Sequence, residues 1–270
     1  MTATTVDLVK YHGLGNDFFV ALRGEEWVEV GAGLARAVCD RHLGFGADGL
    51  LLVLASHQPG TQVRMRLHNA DGSVAEMSGN GIRCFVQACL DGGVLGPGRV
   101  SIETDAGQRT VEAGATDEEG IAQISVDRGS LVFDALPVLG GVPGEAVTVV
   151  VGNPHLVVAT DERDIAAWGP KLEHPYLTGP TCGINVEFVT MLEPGVVEML
   201  VWERGVGVTQ ACGTGAAAVA GAAARWGWDR SGAVTIHQPG GTAQVVLDGD
   251  RATLIGPSQR IGSFAFEWYR

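Results

Sequence analysis

The feature that most restricts the fold of this 270-residue chain is an internal repeat. In the first half, the segment VRMRLHN is followed by a turn and then by Ser78-Gly79-Asn80-Gly81. In the second half, the segment VEMLVWE is followed by a turn and then by Cys212-Gly213-Thr214-Gly215. The strand-end residues Asn69 and Glu203 each lie nine positions before these motifs. The repeat predicts two copies of one domain of about 130 residues, a usual domain size.

A second pair of segments supports the repeat. GNDFFVAL begins at Gly15, and GNPHLVVA begins at Gly152. The spacing to the later motif is 62 residues from Asn16 and 59 residues from Asn153. The boundary between the copies is therefore expected between residues 127 and 134.

The local pattern predicts many short strands and few helices. Valine-rich segments that alternate in polarity and end at Gly, Pro, Asn or Asp are typical of strands. Such segments begin near Val63, Val147, His155, Val186 and Val197. Helices are predicted after Gly81, after Gly215 and near Leu34. Predominant strands with a few helices indicate an α+β fold.

The segment after Gly215 has a further property. It contains only Ala, Gly and Val until Arg225, and a helix that is apolar all round is usually buried all round. A central helix wrapped by a curved sheet fits this composition.

Charge and cysteine content exclude several classes of protein. The formal net charge is −13, which argues against nucleic acid or an anionic membrane surface as a partner. The longest strongly apolar stretch, residues 211–224, is too short to span a bilayer. Five cysteines with no Cys-x-x-Cys pair argue against a disulfide framework or a zinc site. We therefore expect a cytoplasmic protein without a bound metal.

Each repeat places a small polar side chain, Ser78 or Cys212, at the start of a glycine-rich helix. Helix starts present unpaired N–H groups and bind anions, and they lower the pKa of a cysteine placed there. Two such starts that bind one carboxylate would place an acid/base group on each side of the bound molecule. That arrangement suits the removal of a proton from one face of an α-carbon and its return on the other.

Several other features point to structure rather than function. The phosphate-binding and dinucleotide-binding glycine patterns are incomplete, so a nucleotide site is not predicted. Cys39, Cys84, Cys89 and Cys182 are interpreted as core thiols, and His42 and His68 as structural or surface residues. His155 differs because it lies in a Gly-Asn-Pro-His turn. The neighbouring Glu203 and Arg204 are compatible with an exposed ion pair, but their fixed distance from Cys212 favours a role in the site.

Six segments in a fixed order resemble the diaminopimelate epimerase family, a group of cofactor-independent enzymes of lysine and peptidoglycan-precursor biosynthesis. They cover both halves of the chain. The segments are HGLGNDF (12–18), GFGADGLLL (44–52), NADGSVAEM with SGNGIRCF (69–85), GNPH (152–155), GINVEFV (183–189) and ERGVGVTQACGTGA (203–216).

The resemblance implies two pseudo-symmetric domains, each a β-sheet wrapped around a central helix, and a homodimer. It implies an N-terminal domain of residues 1–130, joined by a last strand at about 262–270, and a C-terminal domain of residues 131–261. It implies no cofactor.

The resemblance also assigns roles to individual residues. Cys212 corresponds to one of the two acid/base cysteines, and His155 with Glu203 corresponds to the pair that adjusts the acid/base groups. The amides that would bind the reacting carboxylate are those of Gly79, Asn80, Gly213 and Thr214. The amino and carboxylate groups, chiefly at the distal end, would be bound by Asn16, Asn69, Asn153, Asn185 and Arg204. A buried arginine can grip a carboxylate with two hydrogen bonds.

The chain departs from the family at Ser78, where the family has its other catalytic cysteine. An alcohol is a far weaker acid than a thiol, so Ser78 is a poor resting base, although it can deliver a proton to a carbanion. Four explanations stay open: a natural variant that still epimerises, a related reaction such as hydroxyproline epimerisation or dehydration, an engineered change, and a non-catalytic amino-acid binding protein. We favour conversion of LL- to meso-diaminopimelate, because the residues for the distal end of that substrate are intact.

Overall fold

The structure is a computed structural model that describes residues 3–134, 141–174 and 183–269. Within the chain, residues 1–126 with 256–270 form one compact unit, and residues 127–255 form a second. We refer to them as unit 1 and unit 2.

Unit 1 contains strands β1 to β7, the part of β8 up to Val126, helices α1 and α2, and a short 3-10 helix, and the rest of β8 belongs to unit 2. In chain order they are β1 (Ala3–Gly13), β2 (Asn16–Ala21), the 3-10 helix (Gly24–Trp27), α1 (Gly31–Cys39), β3 (Gly49–Leu54), β4 (Val63–Asn69), β5 (Val74–Ala75), α2 (Gly79–Asp91), β6 (Gly98–Thr104), β7 (Gly107–Ala113) and β8 (Ile121–Ser130).

Unit 2 contains strands β9 to β16, helices α3 and α4, and the first part of β17. They are β9 (Val132–Phe133), β10 (Glu145–Val151), β11 (Asn153–Ala159), α3 (Ile165–Leu172), β12 (Asn185–Glu193), β13 (Val196–Glu203), β14 (Gly207–Thr209), α4 (Gly213–Arg225), β15 (Ala233–Gln238), β16 (Gly241–Asp248) and β17 (Arg251–Tyr269). The second part of β17 runs antiparallel to β1 and so belongs to unit 1.

The two units have the same strand topology. In unit 1, β2 is parallel to β3, β3 is antiparallel to β4, and β4 is parallel to β6. In unit 2, β11 is parallel to β12, β12 is antiparallel to β13, and β13 is parallel to β15. In each unit the long helix follows the equivalent short strand, β5 or β14. The prediction of an α+β protein with two pseudo-symmetric domains is confirmed.

The helices α2 and α4 form the centres of the two units. Both contain 13 residues, and in α4 every residue from Gly215 to Ala223 is buried. In α2 the buried residues run from Asn80 to Cys89 and pack against β1, β2, β3 and β4. The helices predicted after Gly81, after Gly215 and near Leu34 are confirmed as α2, α4 and α1, and the five predicted strands are β4, β10, β11, β12 and β13.

Helix α3 was not predicted from the sequence. It is short, and it contains Gly169 and Pro170, two residues that usually interrupt helices. Two contacts compensate for the low helix propensity of these residues. The Asp164 carboxylate accepts a hydrogen bond from the Ala167 amide at 3.0 Å, and the indole ring of Trp202 lies against Gly169, where any side chain would collide with it. Within the described ranges, no helix is long and apolar enough to cross a membrane.

Candidate active site

In unit 1, Ser78 is the residue that begins helix α2. Its backbone is extended, and its Oγ accepts a hydrogen bond from the Gly81 amide at 3.0 Å. A side chain at Gly81 would lie 3.0 Å from the Ser78 Cβ atom, so glycine lets the cap close tightly. Ser78 is half-buried. Its hydroxyl therefore already serves as a helix cap, which contributes about 1 kcal/mol to the stability of a helix.

A chain of polar contacts surrounds this helix start. The Arg83 side chain, fully buried, donates to the Asn80 Oδ1 atom at 2.8 Å. The side-chain amide nitrogen of Asn80 lies 3.5 Å from Asn16 Oδ1, and the side-chain amide of Asn16 donates to Asp48. The contacts fix the orientation of both amide groups, so the structure brings Asn16 and Asn80 together beside Ser78.

Asn69 lies apart from this chain of contacts. It ends strand β4 and is exposed, and its amide nitrogen donates to Ser73 Oγ at 3.0 Å.

In unit 2, Cys212 begins helix α4 in the same way that Ser78 begins α2. Its Sγ accepts a hydrogen bond from the Gly215 amide at 3.3 Å, and its backbone dihedral angles are nearly those of Ser78. The Thr214 hydroxyl lies 3.5 Å from Sγ, and the backbone amide of Cys212 donates to Gln238 Oε1 at 2.9 Å. The two motifs found in the sequence therefore adopt one local structure.

One face of the sheet in unit 2 carries most of the other polar groups. His155 is in register with Asn185 on the parallel strand β12, and Glu187 is in register with Val201 on β13. Residues two apart on a strand share a face, so this face also presents Asn153 and Glu203. Helix α4 packs against the strands concerned, and a side chain at Gly215 would lie 2.6 Å from Glu187 Oε1.

His155 and Glu187 form a buried pair on that face. Both side chains have 0% exposure, and His155 Nδ1 lies 2.6 Å from Glu187 Oε1. The other ring nitrogen, Nε2, lies 3.2 Å from Asn153 Oδ1.

The pKa of Cys212 is shifted in the direction opposite to the one expected from the sequence. Burial raises the pKa of the thiol to about 12, and the carboxylates of Glu203 and Glu187 act in the same direction. The Thr214 hydroxyl and the Gly215 amide lower it by less. The effect of a helix start is therefore present, but it is smaller than the effects of burial and of the two negative charges.

The carboxyl group of Glu203 is also perturbed. Burial raises its pKa above the ordinary value of 4.5, and the Glu187 charge adds to this rise. The Thr209 hydroxyl opposes it by donating to Glu203 Oε1 at 2.6 Å. Shifted carboxyl and thiol groups side by side are typical of acid/base sites.

Arg204 does not match the expectation of a buried arginine. It lies in the turn after β13, where the strand leaves the core, and it is exposed. Its backbone amide donates to Asn185 Oδ1 at 2.8 Å. The turn is held by the buried carboxylate of Glu173, which accepts from the Gly205 amide at 2.9 Å and from the Trp202 indole at 2.8 Å.

Sequence reasoning missed several residues that complete these arrangements. Glu187 lies in the segment GINVEFV but was given no role. A glutamate at an inward position of the otherwise apolar run VEFV could have indicated a buried functional carboxylate. Asp48 lies in another of the quoted motifs. Thr209 likewise lies in the segment 203–216, six residues after its partner Glu203. Gln238 and Glu173 carried no signal, because their partners are distant in sequence.

The remaining cysteines fit their interpretation as core thiols where the structure describes them. Cys39, Cys84 and Cys89 are buried, and burial raises the pKa of each to about 12. Cys182 lies outside the described residues. In the described part of the chain, no three His, Cys, Asp or Glu side chains are grouped as metal ligands usually are.

Solved structures with the same fold include epimerases and a phenazine biosynthesis protein. A PhzF-family protein from Bacillus anthracis has a TM-score of 0.74 and 16% identity, and the match covers 97% of this chain and 99% of that one. A hydroxyproline epimerase from Agrobacterium vitis has a TM-score of 0.70 and 16% identity over 97% of this chain and 92% of that one. At these identities the likeness concerns the fold alone.

The sequence comparison is more specific. The profile of the family described as diaminopimelate epimerase matches residues 8–133 and 147–261. The diaminopimelate epimerase of Heliobacterium modesticaldum is 38% identical over 286 aligned positions, which cover 95% of this chain and 98% of the relative. That of Desulforudis audaxviator is 38% identical and covers 98% of this chain and 100% of the relative. The chain belongs to the diaminopimelate epimerase family.

Proposed function

We propose that this protein is an isomerase that converts LL-2,6-diaminopimelate to meso-diaminopimelate by proton transfer at one α-carbon. The observation that carries the proposal is the start of helix α4. There Cys212 lies among the perturbed Glu203, the buried His155 and the helix amides, in a chain 38% identical to a diaminopimelate epimerase along nearly its whole length.

In the proposed mechanism Cys212 exchanges a proton with one face of the α-carbon. Because its thiol is protonated in the buried site, a neighbouring base must take that proton before the thiolate can act, and Glu203 is that base. The thiolate then removes the α-proton, and the electron pair is left on the α-carbon and its carboxylate. Amides of the helix starts, those of Gly213 and Thr214 among them, stabilise this charge without reorganising.

Ser78 then serves the opposite face of the α-carbon. Its hydroxyl donates a proton to the carbanion, and the resulting alkoxide takes a proton from water. The hydroxide left behind is neutralised by the proton that Glu203 took from Cys212, which restores both groups for the next turnover. We assign the amides of Gly79 and Asn80 to the same reacting carboxylate. The groups that bind the rest of the substrate are Asn16, Asn69, Asn153, Asn185 and Arg204. Because the side chain of Arg204 is exposed, a ligand can reach it without displacing core residues.

The proposal is tested by incubating purified protein with LL-diaminopimelate and resolving the stereoisomers by chiral chromatography. We expect the meso isomer to accumulate, and the Cys212→Ala variant to lose the activity by at least about 10²-fold, a usual contribution of acid/base catalysis. The matched control is Cys89→Ala, which removes a buried thiol from α2. Conversion of hydroxyproline, with none of LL-diaminopimelate, would contradict the proposal.

A non-catalytic amino-acid binding protein is the second candidate. Ser78 in place of the family's cysteine and the raised pKa of Cys212 favour it. Alkylation of Cys212 with iodoacetamide separates the two. A slow reaction that saturating LL-diaminopimelate does not change, together with measurable binding of this ligand, would favour the binding protein.

We further propose that the chain consists of two copies of one ancestral domain, residues 1–130 with 262–270 and residues 131–261. We also propose that the protein is cytoplasmic and needs no cofactor.

The protein is further proposed to be a homodimer. Exposed apolar groups support the dimer. Leu43 is 90% exposed, and two residues later Phe45 is partly exposed beside Phe264 and Phe266. Light scattering with size-exclusion chromatography measures the mass in solution, and a monomer would contradict this part.

A further inference from the structure

Glu187 is a buried carboxylate for which the proposed reaction has so far given no role. It lies on strand β12 between Val186 and Phe188, with 0% of its surface exposed. Burying a carboxylate is costly unless it is paired and hydrogen-bonded. One oxygen, Oε1, is paired with His155, whereas no donor among the described residues reaches the other oxygen, Oε2. The burial of this carboxylate, with one oxygen left without a donor, therefore needs a physical explanation.

The surroundings of Oε1 connect Glu187 to the reacting end of helix α4. A side chain at Gly215 would lie 2.6 Å from Oε1 and 3.3 Å from Cys212 Sγ. The carboxylate therefore lies only a few ångströms from the thiol. The charged or titratable groups that face it are His155 on β11, Glu203 on β13 and Cys212 at the start of α4.

The contacts of His155 fix the position of its ring. Nδ1 lies 2.6 Å from Glu187 Oε1, and Nε2 lies 3.2 Å from Asn153 Oδ1. A carboxylate oxygen accepts hydrogen bonds, so the contact with Glu187 places a proton on Nδ1. The same contact sets the orientation of the ring, which directs Nε2 to the Asn153 amide.

We propose that Glu187 is a positioning residue for the proton transfer: it keeps a proton on Nδ1 of His155 and holds the ring in the orientation that places Nε2 beside the Asn153 amide. The kinetic consequence rests on the proposed epimerase function. The ring held in this way lies among the acid/base groups at the start of α4 and keeps the Asn153 amide oriented towards the substrate. Removal of the Glu187 charge should therefore lower kcat more than it changes KM.

The first test is the protonation of His155 itself. With 15N-labelled histidine, long-range proton–nitrogen correlation spectra at pH 7 distinguish protonated from unprotonated ring nitrogens. The chain has seven histidines, and the His155→Gln variant identifies the signals of His155 by their loss. We expect Nδ1 of His155 to carry a proton. An unprotonated Nδ1 in the unaltered protein would overturn the proposal.

The second test uses variants of Glu187. Glu187→Gln removes the charge and can donate as well as accept, so the proton of His155 should no longer be confined to Nδ1. We expect kcat for LL-diaminopimelate to fall at least about 10-fold, as is typical when the partner that orients a functional histidine is lost. Glu187→Asp keeps the charge and should recover part of kcat. The control Glu198→Gln removes a carboxylate from the neighbouring strand β13, where it is paired with Arg163, and should leave kcat and the His155 signals unchanged.

The outcomes separate this inference from the proposed function. If Glu187→Gln folds and leaves both kcat and the His155 signals unchanged, Glu187 has no positioning role. If Glu187→Gln does not fold, the Glu187→Asp variant and the spectrum of the unaltered protein decide. If the unaltered protein fails to convert LL-diaminopimelate, the proposed function fails. The nitrogen spectra, which need no turnover, then decide on Glu187 alone.

Discussion

The hydroxyl group of Thr209 allows the pKa of Glu203 to be changed without altering Glu203 itself. Thr209 Oγ1 donates to Glu203 Oε1 at 2.6 Å, and this contact lowers a pKa that burial raises. A hydrogen bond to a charged group contributes about 1.5–3 kcal/mol, and one between neutral groups about 1 kcal/mol. Because the bond stabilises the ionised carboxylate more than the neutral carboxyl group, the substitution Thr209→Val should raise the pKa of Glu203 further.

The sign of the effect on stability follows from the direction of this shift. Because the pKa of Glu203 is higher in the folded protein than in the unfolded chain, the ionised carboxylate destabilises the fold. This destabilisation is absent below the unfolded pKa and complete above the folded one. Thr209→Val should therefore lower the free energy of unfolding by about 1.5–3 kcal/mol near pH 8. Near pH 4, where the lost bond joins neutral groups, the loss should be only about 1 kcal/mol.

Urea unfolding followed by circular dichroism at a series of pH values measures this dependence. Thr209→Ser is the matched control, because it keeps the hydroxyl and removes only a methyl group. An equal loss of stability at every pH, or equal behaviour of the Val and Ser variants, would refute the reasoning. In activity assays, the acid limb of the kcat/KM profile should move to higher pH for Thr209→Val only.

Three further predictions concern the helix starts and the turn after β13. Ser78→Cys supplies a thiol at the cap of α2 and should raise kcat by about 10²-fold or more; unchanged initial rates would show that Ser78 does not limit turnover. Gly215→Ala places a methyl group against a carboxylate oxygen 2.6 Å away and should lower the free energy of unfolding by about 1–3 kcal/mol. Gly213→Ala, whose nearest contact is 3.6 Å, should change it by under about 0.5 kcal/mol in the same urea assay. Glu173→Gln presents an N–H group to the backbone N–H of Gly205 and should loosen the turn that carries Arg204. Steady-state kinetics should then show a raised KM with little change in kcat.

The repeat made the fold predictable from the sequence. The glycine-rich segments at Ser78 and Cys212 are read locally, because a cap, a glycine three residues later and an apolar run define a helix start wherever it occurs. The strands around them were equally readable from alternation and valine content. Helix α3 was not, because its stability comes from Trp202 packing on Gly169, a contact that no local pattern reports.

For the site, the sequence predicted which residues take part but not the environment of each. The direction of the pKa shift of Cys212 depends on how completely the thiol is buried and on two carboxylates from other strands. Neither can be read from the sequence. The exposure of Arg204 likewise follows from the turn in which it lies, and the pairing of His155 with Glu187 follows from the parallel register of β11 and β12. Spacing within one segment carries no information on such contacts.

The most direct test of the two-base mechanism is proton NMR of LL-diaminopimelate with the protein in deuterated buffer. At early times we expect the meso product to carry deuterium at the inverted carbon while the remaining LL substrate keeps its α-protons, because one group removes the proton and a different, solvent-exchanged group delivers the deuteron. Deuterium appearing in the LL substrate without formation of the meso isomer would show that only one face is served, and would contradict the role assigned to Ser78.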